Sequence, residues 1–269
     1  MERRQRRLFP VFRWPGGKRR LLLDMIDLLP EKYGDYFEPF LGGGALFFSL
    51  SPRKAVLGDV NEELVNFYKS LIDNSHEIMR HLKLMKNCSD TYYRVRASCP
   101  KSAVEAAVRF LYLRRTCFNG LYRTNRSGHF NVPFGDNGRD IAGDVENIAG
   151  VVKALRNAEI YCQDFEETCR MACKGDLVYM DPPYTVTHED NNFIEYNARI
   201  FTWQDQIRLK DLVFRLTSKG VKVIVSNAAH CAIEELYHDF KIHTVSRSSV
   251  LAAKNSARRK INEFIIVNY

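Results

Sequence analysis

The chain has 269 residues with 40 Lys and Arg against 32 Asp and Glu, a net charge of +8 that favours a polyanionic partner. Its 45% hydrophobic and 27% charged residues are typical of a folded globular protein and exclude a disordered or collagen-like chain. No apolar stretch is long enough for a transmembrane helix and no secretory signal follows the basic N-terminus, so we expect a cytoplasmic protein without a membrane partner.

The first part of the chain alternates between strand and helix signals. Short apolar runs at residues 36–40 and 55–59 predict two buried strands. After the second run, apolar residues recur at helical spacing from Leu64 to Ile72, behind Asn61 as a predicted N-cap. This alternation is typical of an α/β fold with a largely parallel sheet.

Residues 73–157 interrupt the alternation. The segment is predicted to be mostly helical, with an apolar stripe at Val104, Val108 and Leu111. Within it, residues 119–135 carry Asn-Gly and Ser-Gly turn signals around basic and aromatic residues, which predicts a hairpin or a structured loop. We therefore interpret the whole stretch as an inserted subdomain.

The C-terminal part returns to strands and helices. Apolar residues from Leu209 to Leu216 follow a helical pattern that stops at Gly220, a natural helix end. The last two predicted strands would form a hairpin at the edge of the sheet. Strands are predicted at residues 176–181, 221–226, 238–245 and 261–267.

The seven cysteines are odd in number and irregularly spaced. Without an export signal, this usage predicts free thiols in a reducing compartment. Cys169 and Cys173 could share a helix face and form half of a zinc site, but no second Cys or His pair with zinc-like spacing accompanies them. We therefore predict no metal.

The glycines from Gly42 to Gly44 lie between the predicted strand at 36–40 and a helix. Glycines there let the backbone approach a ligand beyond the carboxyl end of a strand, although a tight turn alone would also need them. Asp59 ends the next strand, where a carboxylate can accept hydrogen bonds from both hydroxyls of a ribose or can cap the following helix. Together they predict a nucleoside-containing cofactor, and the missing G-x-G-x-x-G disfavours a dinucleotide.

The segment Asp181-Pro182-Pro183-Tyr184 closes the predicted strand at residues 176–181. Its prolines lock the turn and place the Pro182 carbonyl near the Asp181 carboxylate, a pair of acceptors that suits the two N–H groups of an exocyclic amine. Tyr184 offers a ring face on which a planar base can stack. Asp-Pro begins many ordinary turns, but its place at a strand end in a chain with a cofactor loop favours base recognition.

These motifs together resemble the Dam-type DNA adenine-N6 methyltransferases of the α class, which are D12-like. The similarity covers nearly the whole chain and includes the insert. It departs at residues 136–140, which lack the expected aromatic and lysine-rich character. The motifs that carry the resemblance are Arg13-Trp14-Pro15-Gly16-Gly17-Lys18, Glu38-Pro39-Phe40-Leu41-Gly42-Gly43-Gly44, Asp59 and Asp181-Pro182-Pro183-Tyr184.

The resemblance implies a Rossmann-like S-adenosylmethionine-dependent methyltransferase fold, with a mixed, mostly parallel sheet and an inserted, mainly helical target-recognition subdomain. Residues 1–72 and 158–269 would form the catalytic domain. Residues 73–157 would form the recognition subdomain, with a DNA-contacting hairpin near 118–135. A monomer would bind double-stranded DNA.

The implied reaction is metal-free transfer of a methyl group from S-adenosylmethionine to N6 of a flipped-out adenine, with GATC the expected site and S-adenosylhomocysteine the product. Alternatives are another adenine site, RNA, or a catalytically silent DNA-binding relative. The expected catalytic residues are Asp181, Pro182 and Tyr184. The expected cofactor-binding residues are Trp14, Lys18, Phe40, Gly42, Gly44, Asp59, Asp164 and Asp181.

The resemblance also implies a set of DNA-contacting residues, in which Arg13 and Arg123 are the best candidates to pair with guanine. Arg114 is expected to contact phosphates or bases beside them, and the basic loop at residues 247–260 to contact phosphates. The expected DNA-binding residues are Arg13, Arg115, Phe118, Asn119, Leu121, Tyr122, Arg123, Asn125, Arg126 and Pro133.

Overall fold

The computed structural model describes residues 7–19, 21–125, 127–135, 141–185, 201–248 and 260–269. Packing divides the chain into two compact units, each built from two separate stretches. The first unit comprises Met1–Arg19 and Leu41–Gln163, and the second comprises Arg20–Phe40 and Asp164–Tyr269.

The described residues form nine α-helices and seven strands. In chain order these are α1 (Leu22–Asp27), β1 (Tyr36–Glu38), α2 (Ala45–Leu50), β2 (Ala55–Asp59), α3 (Glu62–Leu84), α4 (Ser89–Ala97), α5 (Ala103–Thr116), α6 (Val145–Leu155), β3 (Ala158–Cys162), α7 (Phe165–Cys169), β4 (Leu177–Met180), α8 (Trp203–Ser218), β5 (Lys222–Ala228), α9 (Cys231–Leu236), β6 (Lys241–Ser248) and β7 (Lys260–Val267).

The first unit contains two parallel strands and a helical layer. Strand β2 pairs with β3 so that Asp59 lies opposite Cys162. Helix α3 begins where predicted, because the Asn61 side chain accepts a hydrogen bond from the backbone N–H of Leu64. Helix α3 packs on α5 through aromatic side chains, and the Phe67 and Phe110 rings stack with centroids 5.2 Å apart.

The helical stretch predicted after residue 72 is present as the rest of α3 together with α4, α5 and α6. Helix α3 runs on to Leu84 through one irregular residue, Asn74. One helix therefore spans residues 72 and 73, where the subdomain boundary was placed. The division into a catalytic domain and a target-recognition subdomain stays a prediction.

The second unit contains the other five strands. Strand β4 lies between β1 and β5, parallel to both. Strand β7 is antiparallel to β5 and to β6, as the predicted hairpin requires. Because β1 and β4 are parallel, their carboxyl ends meet at one edge, which brings the segments after Glu38 and after Met180 together. Strand β1 is shorter than predicted, since Pro39 has no N–H for the sheet.

The α/β class and the mixed, mostly parallel sheet of a Rossmann-like fold are confirmed. Sequence patterning missed β3, whose residues are mostly exposed and so carry little of the apolar signal of a buried strand. In the part of the chain that the structure describes, no helix is long and apolar enough to cross a membrane.

Candidate active site

The glycine loop of the first unit closes around the Trp14 indole. Gly42 and Gly44 have φ angles of 47° and 65°, in the left-handed region that glycine adopts without strain. A Cβ atom on Gly42 would lie 2.7 Å from Cδ1 of Trp14, so no larger residue fits there without displacing the ring. The loop therefore needs glycine for its packing, and a ligand role for Gly42 and Gly44 stays a prediction.

The Asp59 carboxylate fixes this loop from the end of β2. Its Oδ2 accepts a hydrogen bond of 2.9 Å from the N–H of Gly42, and its Oδ1 accepts one of 2.9 Å from the N–H of Asn61. Burial raises the pKa of Asp59 above its ordinary value, and the backbone N–H donors oppose that rise. Each carboxylate oxygen has a second lone pair, so Asp59 can hold the loop and also accept from a ligand hydroxyl.

Trp14 is half-buried and Lys18 is buried, which the sequence alone did not decide. The centroid of the half-buried Trp14 ring lies 5.2 Å from that of the Tyr122 ring, and the two ring planes are tilted by 31°. Lys18 is buried, and its ammonium donates to the Gly16 carbonyl over 3.0 Å. A solvated surface charge is therefore excluded for Lys18, because lysine is rarely buried unless it is paired.

In the second unit, Asp181 directly follows β4 and is held by a chain of hydroxyl groups. Ser226 on β5 donates a hydrogen bond of 2.7 Å to Oδ1 of Asp181. The Tyr179 hydroxyl lies 3.1 Å from the same Ser226 oxygen. Because a serine hydroxyl has a single proton and gives it to Asp181, Tyr179 is the donor to Ser226. Both Tyr179 and Ser226 are buried, so the chain fixes the rotation of the carboxylate.

Tyr184 is anchored by a buried acid. Its hydroxyl donates a hydrogen bond of 2.7 Å to Oε2 of Glu263 on β7, a side chain with 1% of its surface exposed. Burial and the nearby carboxylates of Asp181 and Glu263 raise the pKa of the Tyr184 hydroxyl well above its ordinary value. The hydroxyl thus stays protonated at neutral pH and keeps the ring in place.

Phe40 and Asp164 lie in an aromatic and charged cluster of the same unit. The Phe40 ring stacks on Phe165 with centroids 5.4 Å apart. Asp164 accepts from the backbone at the start of α7 and pairs with Arg208 over 3.1 Å. The Arg208 guanidinium also lies over the Phe165 ring, 4.8 Å from its centroid. A planar group near this cluster would meet ring faces and a carboxylate together.

The loop at residues 119–135 is structured and hairpin-like, as predicted. Two isolated antiparallel bridges close it, one between Cys117 and Phe134 and one between Thr124 and Phe130. At its tip the Asn125 side chain accepts the N–H groups of residues 127 and 129. Asn125 therefore stabilises the turn, a structural role that does not depend on contact with DNA.

Most of the predicted DNA-contacting side chains lie on the surface of the first unit. Arg123 is exposed, and its guanidinium donates to Oδ1 of Asn131 over 2.8 Å and to the Asn131 carbonyl over 3.3 Å. Tyr122 is engaged inside the unit instead, since its hydroxyl donates to Glu63. Arg126 lies outside the described residues, as does most of the basic loop at 247–260. The exposed members are Arg13, Phe118, Asn119, Arg123, Asn125 and Pro133, and the half-buried ones are Arg115, Leu121 and Tyr122.

The expectation that Arg114 contacts DNA is wrong. Only 2% of this residue is exposed, and its guanidinium donates to backbone carbonyls of the protein itself. Arg115 is also engaged, because its guanidinium donates to the carbonyls of Val11 and Ile141. Arg115 keeps a half-exposed surface, and its contact with DNA stays a prediction.

Sequence reasoning assigned no role to Tyr179, Ser226 or Glu263. Ser226 and Glu263 lie on the strands β5 and β7, which are paired beside β4. For Ser226 the available signal was positional, since polar residues near the carboxyl end of a neighbouring parallel strand tend to face the same ligand crevice. In the described part of the chain, no group of three His, Cys, Asp or Glu residues is arranged to hold a metal ion.

The chain is similar to a known protein family and to individual proteins over most of its length. A family model for the D12 class of N6 adenine-specific DNA methyltransferases matches residues 14–251. The type II methyltransferase M1.LlaDCHI of Lactococcus lactis subsp. cremoris is 42% identical over 97% of this chain and 96% of its own length. The DNA adenine methylase of Escherichia coli K12 is 32% identical over 94% of this chain and 92% of its own length.

Proposed function

Because the chain belongs to the D12 class of N6 adenine-specific DNA methyltransferases, we propose that it methylates N6 of an adenine flipped out of duplex DNA, at GATC. The observation that carries the proposal is Asp181, placed at the carboxyl end of β4 with one carboxylate oxygen held by Ser226. A carboxylate fixed in this way is suited to accept a hydrogen bond from an exocyclic amine.

The residues present suit S-adenosylmethionine, which when bound supplies a methyl group activated by its sulfonium. Asp59 retains acceptor capacity for ribose hydroxyls after its two backbone hydrogen bonds. Phe40 offers a ring to a cationic sulfur, an arrangement that aromatic faces favour. The residues that would hold the cofactor are Trp14, Lys18, Phe40, Gly42, Gly44, Asp59, Asp164 and Asp181.

Three residues act on the target base. Asp181 and the Pro182 carbonyl accept hydrogen bonds from the two N–H groups of the adenine amine. These bonds favour a pyramidal nitrogen whose lone pair has left the ring, so they strengthen toward the transition state. Tyr184, held by Glu263, supplies a ring face on which the extruded base stacks. Preorganised acceptors of this kind need little rearrangement as the reaction proceeds.

The recognition residues lie on the first unit. Arg13 and Arg123 are exposed arginines, whose forked donors suit the O6 and N7 atoms of guanine. Asn119, Leu121 and Pro133 lie in the loop beside Arg123. The predicted GATC specificity rests on these positions, through the resemblance described above.

The test is methylation of unmodified plasmid DNA with S-adenosylmethionine carrying a labelled methyl group, followed by base-resolved mapping of N6-methyladenine. We expect the label at adenines of GATC. Label at other adenines would refute the GATC specificity and leave the proposed reaction standing. Unlabelled DNA after incubation with folded protein would indicate a catalytically silent DNA-binding relative.

Asp181→Ala should abolish methyl transfer and leave DNA affinity within about twofold, because the carboxylate acts on the base and not on the phosphates that dominate affinity. Asp211→Ala is a matched control, since Asp211 is a half-exposed acid on α8 of the same unit. Methyl incorporation by Asp181→Ala at the wild-type rate would refute the mechanism.

A further inference from the structure

The buried guanidinium of Arg114 joins two distant segments of the first unit. Its Nη1 donates to the Leu121 carbonyl over 2.5 Å, and its Nη2 donates to the carbonyls of Arg13 and Gly120 over 2.5 and 2.6 Å. Arg13 lies 101 positions away in sequence, whereas Gly120 and Leu121 begin the recognition loop. One side chain thus ties the segment before Trp14 to the loop after α5.

Aromatic rings enclose the same guanidinium. Its central carbon lies 5.1 Å from the Trp14 ring centroid and 5.5 Å from that of Tyr122, within range of a cation–π interaction. The two rings lie 5.2 Å apart. The charge is therefore held by ring faces and carbonyl dipoles on several sides, which fixes its position closely.

The two joined segments also touch directly. Gly120 has a φ angle of 67°, and a Cβ atom built there would lie 2.7 Å from the Cβ of Arg13. The backbone at Gly120 is therefore pressed against the stem of the Arg13 side chain. Any shift of the loop at this point moves the base of Arg13 as well.

Arginine is suited to this position in a way that lysine is not. Its planar fork reaches three carbonyls with fixed geometry, whereas an ammonium on a flexible stem is a point donor. Burial lowers the pKa of Arg114 to about 10, so the group remains protonated at neutral pH. A charge kept in the interior costs folding free energy, which a purely structural position could avoid with an apolar side chain.

We propose that Arg114 is a specificity-determining positioning residue, which sets Arg13 and the Asn119–Leu121 segment in one fixed arrangement for reading bases. The assignment rests on the proposed function, in which Arg13, Asn119 and Leu121 contact the recognition site. Arg114 itself does not touch the DNA. It acts through the backbone of the residues that do.

The test compares wild type, Arg114→Lys and Arg114→Met on a duplex pool randomised around the target adenine, with N6-methyladenine mapped by sequencing. Methionine is included because an unbranched apolar side chain keeps much of the packing. We expect the ratio of methylation at the preferred site to that at single-base variants to fall by at least about tenfold, the scale of one bidentate base contact. Loss of fold alone would lower the rate at all sites equally.

Arg170→Lys is the control for the exchange of arginine for lysine. Arg170 is exposed and pairs with Glu167 in the second unit, whereas the recognition loop belongs to the first. Its substitution should leave the site ratio unchanged. Amide hydrogen exchange of residues 118–125 supplies a readout independent of activity, and it should be faster in Arg114→Lys than in Arg170→Lys.

The outcomes separate the two proposals. A wild-type protein that produces no N6-methyladenine would overturn the proposed function, and the assignment of Arg114 with it. A wild-type protein that methylates one site, with folded Arg114 variants that keep its site ratio and its exchange at residues 118–125, would overturn the role of Arg114 alone.

Discussion

At the scale of single residues, the arrangement around Asp181 depends on the direction of two hydrogen bonds. Tyr179 donates to Ser226, and Ser226 donates to Asp181, so one proton on each hydroxyl sets the orientation of the next group. Such a chain polarises along its length and holds the carboxylate without neutralising it. Ser226 is therefore the residue through which strand β5 orients the Asp181 carboxylate.

We predict that Ser226→Ala lowers kcat by about tenfold and changes KM for DNA and cofactor much less, because a carboxylate free to rotate spends less time in the reactive geometry. Steady-state methyl transfer measures the split. Ser218→Ala is the control, as that exposed hydroxyl donates to Phe214 within α8. A rise in KM with kcat unchanged would show that Ser226 serves binding instead.

The residue scale also shows what sequence could not decide. The pair Arg114-Arg115 has the composition of a phosphate-binding patch, and nothing in the local pattern distinguishes a buried guanidinium from an exposed one. Arg114 donates to the carbonyl of Arg13 and Arg115 to that of Val11, and both acceptors lie far away in sequence. The position of Asp181 at the end of a strand was predictable because its turn is local, being set by two prolines, and its catalytic role stays a prediction.

At the scale of secondary-structure elements, helix α8 begins with a complete capping signal. Thr202 accepts the N–H of Asp205 while the Asp205 carboxylate accepts the N–H of Thr202, which forms a capping box. The preceding residue, Phe201, packs edge-on against Phe40 with ring centroids 5.6 Å apart. The cap therefore fixes both the helix and one side of an aromatic cluster.

Thr202→Ala should lower the free energy of unfolding by about 1 kcal/mol, the usual cost of losing an N-cap side chain. Urea denaturation measures the change, and Thr202→Ser should recover most of the loss because serine retains the accepting oxygen. An unchanged midpoint in Thr202→Ala would show that the cap adds nothing beyond the packing of α8.

Elements with a strong period were predictable and short mixed ones were not. Strand β2 was predicted with its observed bounds, and the cap of α3 at Asn61 was recognised because both signals lie within a few residues. Strand β3 was missed, since its single buried residue is Ile160 and its identity as a strand depends on pairing with β2. The short helices α7 and α9 carry too few turns to show a period.

At the scale of the whole molecule, the net charge of +8 predicts DNA binding that weakens steeply with salt, because each neutralised phosphate releases a counterion. Fluorescence anisotropy with a labelled duplex should give a straight line of log affinity against log salt. Arg123→Ala should weaken binding to the preferred site and change the slope little, because this arginine is assigned to guanine and not to a phosphate. An affinity that does not change with salt would contradict a phosphate-dominated interface.

The way the chain is threaded has a consequence for dissecting the protein. Each compact unit draws on two stretches, so the backbone passes from one unit to the other after Arg19, after Phe40 and after Gln163. No single cut separates the two units, since a fragment that ended at Gln163 would hold the whole first unit together with residues 20–40 of the second. A fragment that began at Asp164 would leave behind β1, the partner of Leu177 and Val178, and would open that flank of the sheet to other strands. Because residues 20–40 lie in sequence between the two stretches of the first unit, a division into two contiguous pieces cannot reproduce the two units.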